Sequence, residues 1–300
     1  MFVINHRNIF FAISGLLVVA SIIAISMFRL NPSVDFTGGT IIEAGFASST
    51  PETTAVAEAL STAGFPNAQV RTGDVGELNI RTRALKEGDR DLIMGALASF
   101  GSPVEIKRLS SVGPTVGQEL RRKTTVAIIL VVLMIILYIA FAFRKVAKPI
   151  SSWTYGIVAI ITLLHDIIIP TGVFALLGHF AGLEADTLFV VAILTILGLS
   201  VNDTIVVFDR IRENLAREGD RARDNFAETV GKSLEQTYVR SFNTSFSVIL
   251  VLLILFFLGG PTIHSFMLTL LVGQIAGTYS SIFIASPRLV VIANRKLKKA

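Results

Sequence analysis

Residues Ala192–Asn214 read AILTILGLSVNDTIVVFDRIREN and place one carboxylate, Asp203, in a run that is otherwise uncharged up to Asp209. A carboxylate at the centre of a membrane helix costs about 2.5 to 3.5 kcal/mol on insertion scales, so it calls for a partner or a task. Arg240, at the start of the next apolar run, is the candidate partner. The rest of the chain is read outward from this pair.

Hydrophobic residues make up 52% of the chain, charged residues 16%, and the mean hydropathy is +0.67, the composition of an integral membrane protein. Crossing a hydrocarbon core takes about 20 apolar residues. The runs 9–28, 124–143, 150–178, 187–208, 241–260 and 262–287 meet that length, so six transmembrane helices are expected. Lys and Arg sit before the first run, at Arg144, Lys145 and Lys148, and in the tail from Arg288. The connections 179–186 and 259–262 carry none. The positive-inside rule then puts both termini in the cytoplasm. The net charge of +5 reports topology and anionic lipid rather than nucleic acid, since no basic stripe is interleaved with aromatics. The first run exceeds a usual signal h-region and reads as an uncleaved anchor. Cysteine is absent, which removes disulfides, thiolate catalysis and Cys-ligated metal.

Three segments follow. Residues 1–28 form the cytoplasmic N-terminus and first span, 29–123 an extracytoplasmic domain, and 124–300 the other five spans, with a cytoplasmic loop near 209–238 and a basic tail. In the domain, 40–46, 68–71, 78–83 and 104–109 read as strands, and two helices are expected. One runs to Ala63 after an N-terminal signal at Ser49-Thr50-Pro51-Glu52; the other spans Lys86–Phe100, with Leu92, Ile93, Leu97 and Phe100 on one face. A turn at 72–76 joins the middle strands. The order βαββαβ is that of a ferredoxin-like unit. Gly38, Gly39, Gly113 and Gly117, in the flanking DFTGGT and VGPTVG segments, read as tight turns and hinges; no phosphate-loop Gly-Lys-Ser/Thr follows. Phe226, Val230 and Leu234, four residues apart, fit either a short helix over 222–234 along the membrane face or a simple connector with a solvated charged face.

Arg240, Asn243, Thr244 and Ser247 lie at i, i+3, i+4 and i+7, a polar stripe expected to face away from lipid, and Asn202 and Thr204 flank Asp203. Asp203 with Arg240 reads either as a buried ion pair or as a proton-carrying carboxylate set by a movable arginine; Arg240 is also near enough to the interface to snorkel. His165 and Asp166, deeper in the third run, fit a proton relay or a pair steadying a bend at Pro170. Two intramembrane acids would also suit an aspartyl protease, but the usual Gly-x-Gly-Asp context is missing and Arg240 would have no role. His179, Glu184, Asp186 and His264 fall at the outer interface as edge residues.

DFTGGT, VGPTVGQEL, the His-Asp of the third run, SVNDTIVVFDRIREN and VRSFNTS, in this order and spacing over nearly the whole chain, resemble the SecF family of bacterial protein-export membrane proteins, within SecD/SecF and the RND superfamily. The resemblance implies a six-helix half bundle with the domain between helices 1 and 2, and proton passage involving Asp203 and Arg240. It implies no enzyme activity, no cofactor and no metal, with protons as the coupling ion. The implied partners are SecD, as a separate chain, and the SecYEG translocon, with SecA indirectly and YajC as a further candidate. Precursor polypeptide would be moved across the bacterial inner membrane. An RND-type exporter of lipid or small molecules is the alternative. Making and breaking the Asp203–Arg240 interaction would then shift the helices that carry the external domain, with the four glycines at the joints.

Overall fold

The computed structural model describes residues 1–47, 50–73, 76–101, 103–142, 150–219 and 225–297. They divide into two units. One comprises Met1–Asn31 with Ala127–Ala300, the other Pro32–Val126. The basic residues Arg144, Lys145, Lys148, Lys298 and Lys299, and Ser49, Asp74 and Val75 of the expected cap and turn, lie outside the described residues.

In the smaller unit, β1 (Gly39–Phe46), β2 (Gln69–Thr72), β3 (Glu77–Thr82) and β4 (Val104–Val112) form one antiparallel sheet in the order β2-β3-β1-β4. Two helices, α4 (Thr53–Thr62) and α5 (Asp89–Ala98), complete the ferredoxin-like βαββαβ order. Alternation sets the buried face. Leu78 and Ile80 of β3 and Ile42 and Ala44 of β1 pack on Val56 and Leu60 of α4 and Ile93 and Leu97 of α5. Each such aliphatic side chain contributes about 1.5 to 3 kcal/mol on burial.

α4 starts at Thr53 with Glu52 as its N-cap, so Pro51 stands outside the helix rather than in its first turn. α5 starts three residues later than the sequence suggests, because the Asp89 carboxylate closes the preceding turn. It accepts from Lys86 N at 2.8 Å and from both guanidinium arms of Arg83 at 2.5 and 3.2 Å. These donors hold the Asp89 carboxyl below its ordinary range, the Arg83 hydrogen bond first. Leu92 does not share the buried face of Ile93 and Leu97; it is exposed.

The larger unit contains α1 (Phe2–Asn5), α2 (Arg7–Phe28), the later part of α6 (Pro114–Ala142), α7 (Ser152–Phe180), α8 (Thr187–Glu218), α9 (Phe226–Leu258) and α10 (Pro261–Ser280). A π-helical turn (Ser281–Ala285) then leads into α11 (Ser286–Leu297). Among the described residues, six helices are long and apolar enough to cross a membrane. α7, α8 and α10 pack against one another, α2 lies on α7, and α9 on α8 and α10. α2, α6 and α9 present apolar side chains such as Leu16, Met134 and Phe257 outward, as a lipid-facing surface requires.

Helix ends exceed the apolar runs. Asp186 caps α8 by accepting from Phe189 N at 2.8 Å, so it is a structural cap and not merely an edge residue. α8 continues through its charged end to Glu218. The expected surface helix over 222–234 is corrected: residues 226–234 form the first turns of α9, continuous with the span. Phe226, Val230 and Leu234 are buried against Phe208, Ile211 and Leu215 of α8 and Leu289 and Val290 of α11. Their four-residue spacing reflects core packing rather than contact with lipid headgroups. Asn214, also buried, donates to Ser233 Oγ at 2.8 Å and Gln236 Oε1 at 2.9 Å, which ties the two helix extensions together.

Candidate functional site

On α8, Ser200, Asp203, Thr204 and Val207 follow the i, i+3, i+4, i+7 rule and share the buried face. Asp203 is 6% exposed. Its Oδ2 accepts from Ser245 Oγ of α9 at 3.3 Å. Asn202, immediately before Asp203 in sequence, is exposed.

The structure does not bring Arg240 to Asp203. The face of α9 turned to the bundle is Thr237, Ser241 and Ser245, one turn apart and all buried; Ser241 Oγ has no hydrogen-bond partner among the described residues. Arg240 precedes Ser241 by one residue, about 100° around the helix, and so is exposed. The expected inward stripe is corrected for the same reason. Asn243, Thr244 and Ser247 are exposed with Arg240, and the Thr244 and Ser247 hydroxyls are satisfied by Arg240 O and Asn243 O of their own helix at 2.9 and 2.8 Å. Arg240 lines a recess of about 410 Å³ between α6, α8 and α9, together with Tyr138, Asp209, Arg212 and Gln236.

His165 and Asp166 are buried on α7 and bonded to each other, His165 Nδ1 to Asp166 Oδ1 at 2.7 Å. Asp166 Oδ2 accepts from Ser280 Oγ of α10 at 2.8 Å and from Ser200 Oγ of α8. The carboxylate therefore joins three helices. Four residues on, Pro170 sits inside α7 without breaking it, and its missing N–H withdraws the helical donor from the Asp166 carbonyl. Ser280 and Ser245 carry no signal above that of any serine in an apolar run. Their relevance comes from contacts with helices far apart in sequence.

In the smaller unit, Ser33 caps α3 (Val34–Thr37), its Oγ accepting from Asp35 N at 3.1 Å, and Gly38 ends it with φ +74°. A Cβ on Gly38 would stand 2.8 Å from Pro114 Cα, and one on Gly117 2.8 Å from Gly38 N. Gly39, at φ +132°, would meet Thr82 O at 2.8 Å. Close backbone approach is what these three positions require. Gly113 has open space around it. Arg81 secures the same corner, donating to Thr37 Oγ1 at 2.9 Å and Pro32 O at 3.1 Å.

Residues 93–295 match the family model of the C-terminal region of the SecD/SecF protein export membrane proteins, and residues 23–49 match that of the SecD/SecF GG motif. The protein translocase subunit SecF of Thermobaculum terrenum is 43% identical, over 98% of this chain and 94% of its own length. That of Vibrio alginolyticus is 38% identical over 92% and 84%. Among solved structures, SecDF of Thermus thermophilus, a translocon-associated membrane protein, superposes with a TM-score of 0.82 at 33% identity. The superposition covers 97% of this chain and 38% of that one, so this chain spans well under half of SecDF. These relatives support protein export rather than the export of lipid or small molecules. The chain belongs to the SecD/SecF family of protein-export membrane proteins, and within it to the protein translocase subunits SecF.

Proposed function

We propose that this multi-pass protein works with a SecD-type partner in the bacterial inner membrane. There it uses the proton gradient to promote late steps of precursor translocation through SecYEG, after SecA has spent ATP, with YajC as a further associate. Both termini face the cytoplasm and the ferredoxin-like unit faces outward. The chain supplies a proton-handling half and an external domain, not an enzyme active site, and needs no cofactor besides the coupling proton.

The observation that carries this reading is Asp203, a carboxylate buried in a membrane span with a serine hydroxyl donating to it. Burial without a permanent counter-charge suits a group that alternates between charged and neutral forms. Arg240, which lines the recess, supports the reading in a different way from an internal ion pair. With Asn243, Thr244 and Ser247 it makes a polar stripe on the outside of the half bundle, suited to a partner helix and not to hydrocarbon. Asp166 and Asp203 take their hydrogen bonds from separate serines, which favours proton transfer over a shared-proton protease dyad.

A proton crossing the field releases about 2.3 kcal/mol per 100 mV, enough to change a two-state equilibrium roughly fifty-fold. The proton would enter at Asp203 from outside and leave through the recess beside Arg240. The resulting helix shift would move the external domain. In membrane vesicles holding the chain and its partner, Asp203→Asn abolishes gradient-dependent export while leaving assembly intact. Full export by that variant would sink the proposal.

A further inference from the structure

His165 is 5% exposed and Asp166 is fully buried, yet among the described residues no Lys or Arg is hydrogen-bonded or ion-paired to them. Their polar environment is assembled from three helices: His165 Nδ1 on Oδ1, and the hydroxyls of Ser200 and Ser280 on Oδ2. The two hydroxyls meet Oδ2 and His165 Nδ1 meets Oδ1, so against a deprotonated carboxylate the imidazole N–H is the donor of that contact. His165 Nε2 is buried and has no hydrogen-bond partner among the described residues.

An unpaired carboxylate in this position would carry a full buried charge, whereas one added proton on the imidazole makes the pair neutral. The added proton goes onto Nε2 and leaves from it. The charged or titratable groups turned to the pair from the packed helices are Asp203 of α8, whose charge interacts with Asp166, and Tyr279 of α10, whose ring lies 6.4 Å from that of His165. The Tyr279 hydroxyl is committed to Phe10 O of α2 at 2.9 Å.

Ser280 is the residue immediately before the π-helical turn Ser281–Ala285. A π turn closes its hydrogen-bonded ring over one more residue than the α-helix and recurs at functional sites. The hydroxyl that reaches Asp166 thus sits next to a joint in its own helix.

We propose that Ser200 and Ser280 are positioning residues of a proton-gated clasp, in which His165–Asp166 of α7 holds α8 and α10 together and gains or loses one proton at His165 Nε2. This rests on the proton-coupled reading of the chain and adds to it a second proton-binding centre with its own release point. Proton arrival neutralises the pair, and proton loss leaves an anion that both hydroxyls must hold. The grip on α10 therefore changes with occupancy, and the π turn takes up the movement.

The test uses the chain co-purified with its SecD-type partner. Infrared difference spectra are recorded against pH, and Asp166→Asn identifies the carboxyl band. Ser280→Ala removes one of the two donors to Oδ2, so the Asp166 carboxylate stretching band moves in frequency, and the change in that band that accompanies proton exchange at His165 Nε2 is altered. Ser280→Thr keeps the hydroxyl and restores the wild-type band, which a merely space-filling role would not require. Ser200→Ala serves as an independent second variant and moves the band in the same direction. An unmoved band in both alanine variants, with the partner still bound, overturns the clasp. Export by Asp203→Asn is scored separately: its survival would refute the proton-driven reading, while the infrared shift alone decides the clasp.

Discussion

At the residue scale, the Asp89 carboxylate shows how a single contact sets both a local fold and a pH response. Its folded form is held below the ordinary carboxyl range by Arg83 and the Lys86 N–H. The contribution is fully present above the unfolded carboxyl value of about 4 and is lost as pH falls through the lower folded value. Asp89→Asn should therefore weaken the outer domain at neutral pH, with the gap to wild type closing below about pH 4. Hydrogen exchange of α5 in the full chain measures this; a gap that stays constant with pH would show that the ion pair does not contribute through charge. The sequence puts Asp89 inside the expected helix and gives no hint of its partner. Arg83 reaches it because β3 ends where the turn begins, and the guanidinium also lies over the Phe65 ring at 4.8 Å. Asp203 is the contrasting case, since the cost of a carboxylate in an apolar run can be read from the sequence alone. Which hydroxyl meets it depends on how two helices are rotated.

At the element scale, the spans were legible because bilayer thickness sets a length that the apolar runs must meet. Their ends were not, since charged residues beyond the bilayer remain good helix formers and α8 and α9 extend through them. The rotation of α9 was ambiguous for a simple reason. Two polar rows, Thr237-Ser241-Ser245 and Arg240-Asn243-Thr244-Ser247, lie side by side on one helix. Only packing against α8 decides which is internal. The glycine joints were legible as turns, and their separate requirements appear only once the backbones are placed. Gly38 holds φ +74° and ψ 157°, a region that essentially only glycine occupies, so Gly38→Ala should cost about 1 to 3 kcal/mol from the backbone alone, before the clash with Pro114. Gly113→Ala, with open space at its Cβ, should stay within about 0.5 kcal/mol. Thermal unfolding of the two variants separates these outcomes, and equal stability of both would refute the close-approach account of the DFTGGT corner.

At the scale of the whole molecule, the outward placement of Arg240, Asn243, Thr244 and Ser247 argues that this half bundle is completed by another chain. Lipid does not satisfy an arginine and an asparagine amide along one helix face, while a second set of helices can, through interhelical hydrogen bonds worth about 0.6 kcal/mol each on average. The relatives fit this reading, because SecDF carries much more chain than is present here. Since the chain has no cysteine, a single introduced thiol reports on one position without background. Asn243→Cys should react with a water-soluble maleimide when the chain is made alone and be protected when a SecD-type partner is co-expressed. Leu16→Cys, on the exposed apolar face of α2, should show no partner-dependent change. Equal labelling of the cysteine at position 243 with and without the partner would mean that the stripe faces an aqueous path instead. Arg240 would then act on a solvated proton route and not on an acid of the partner.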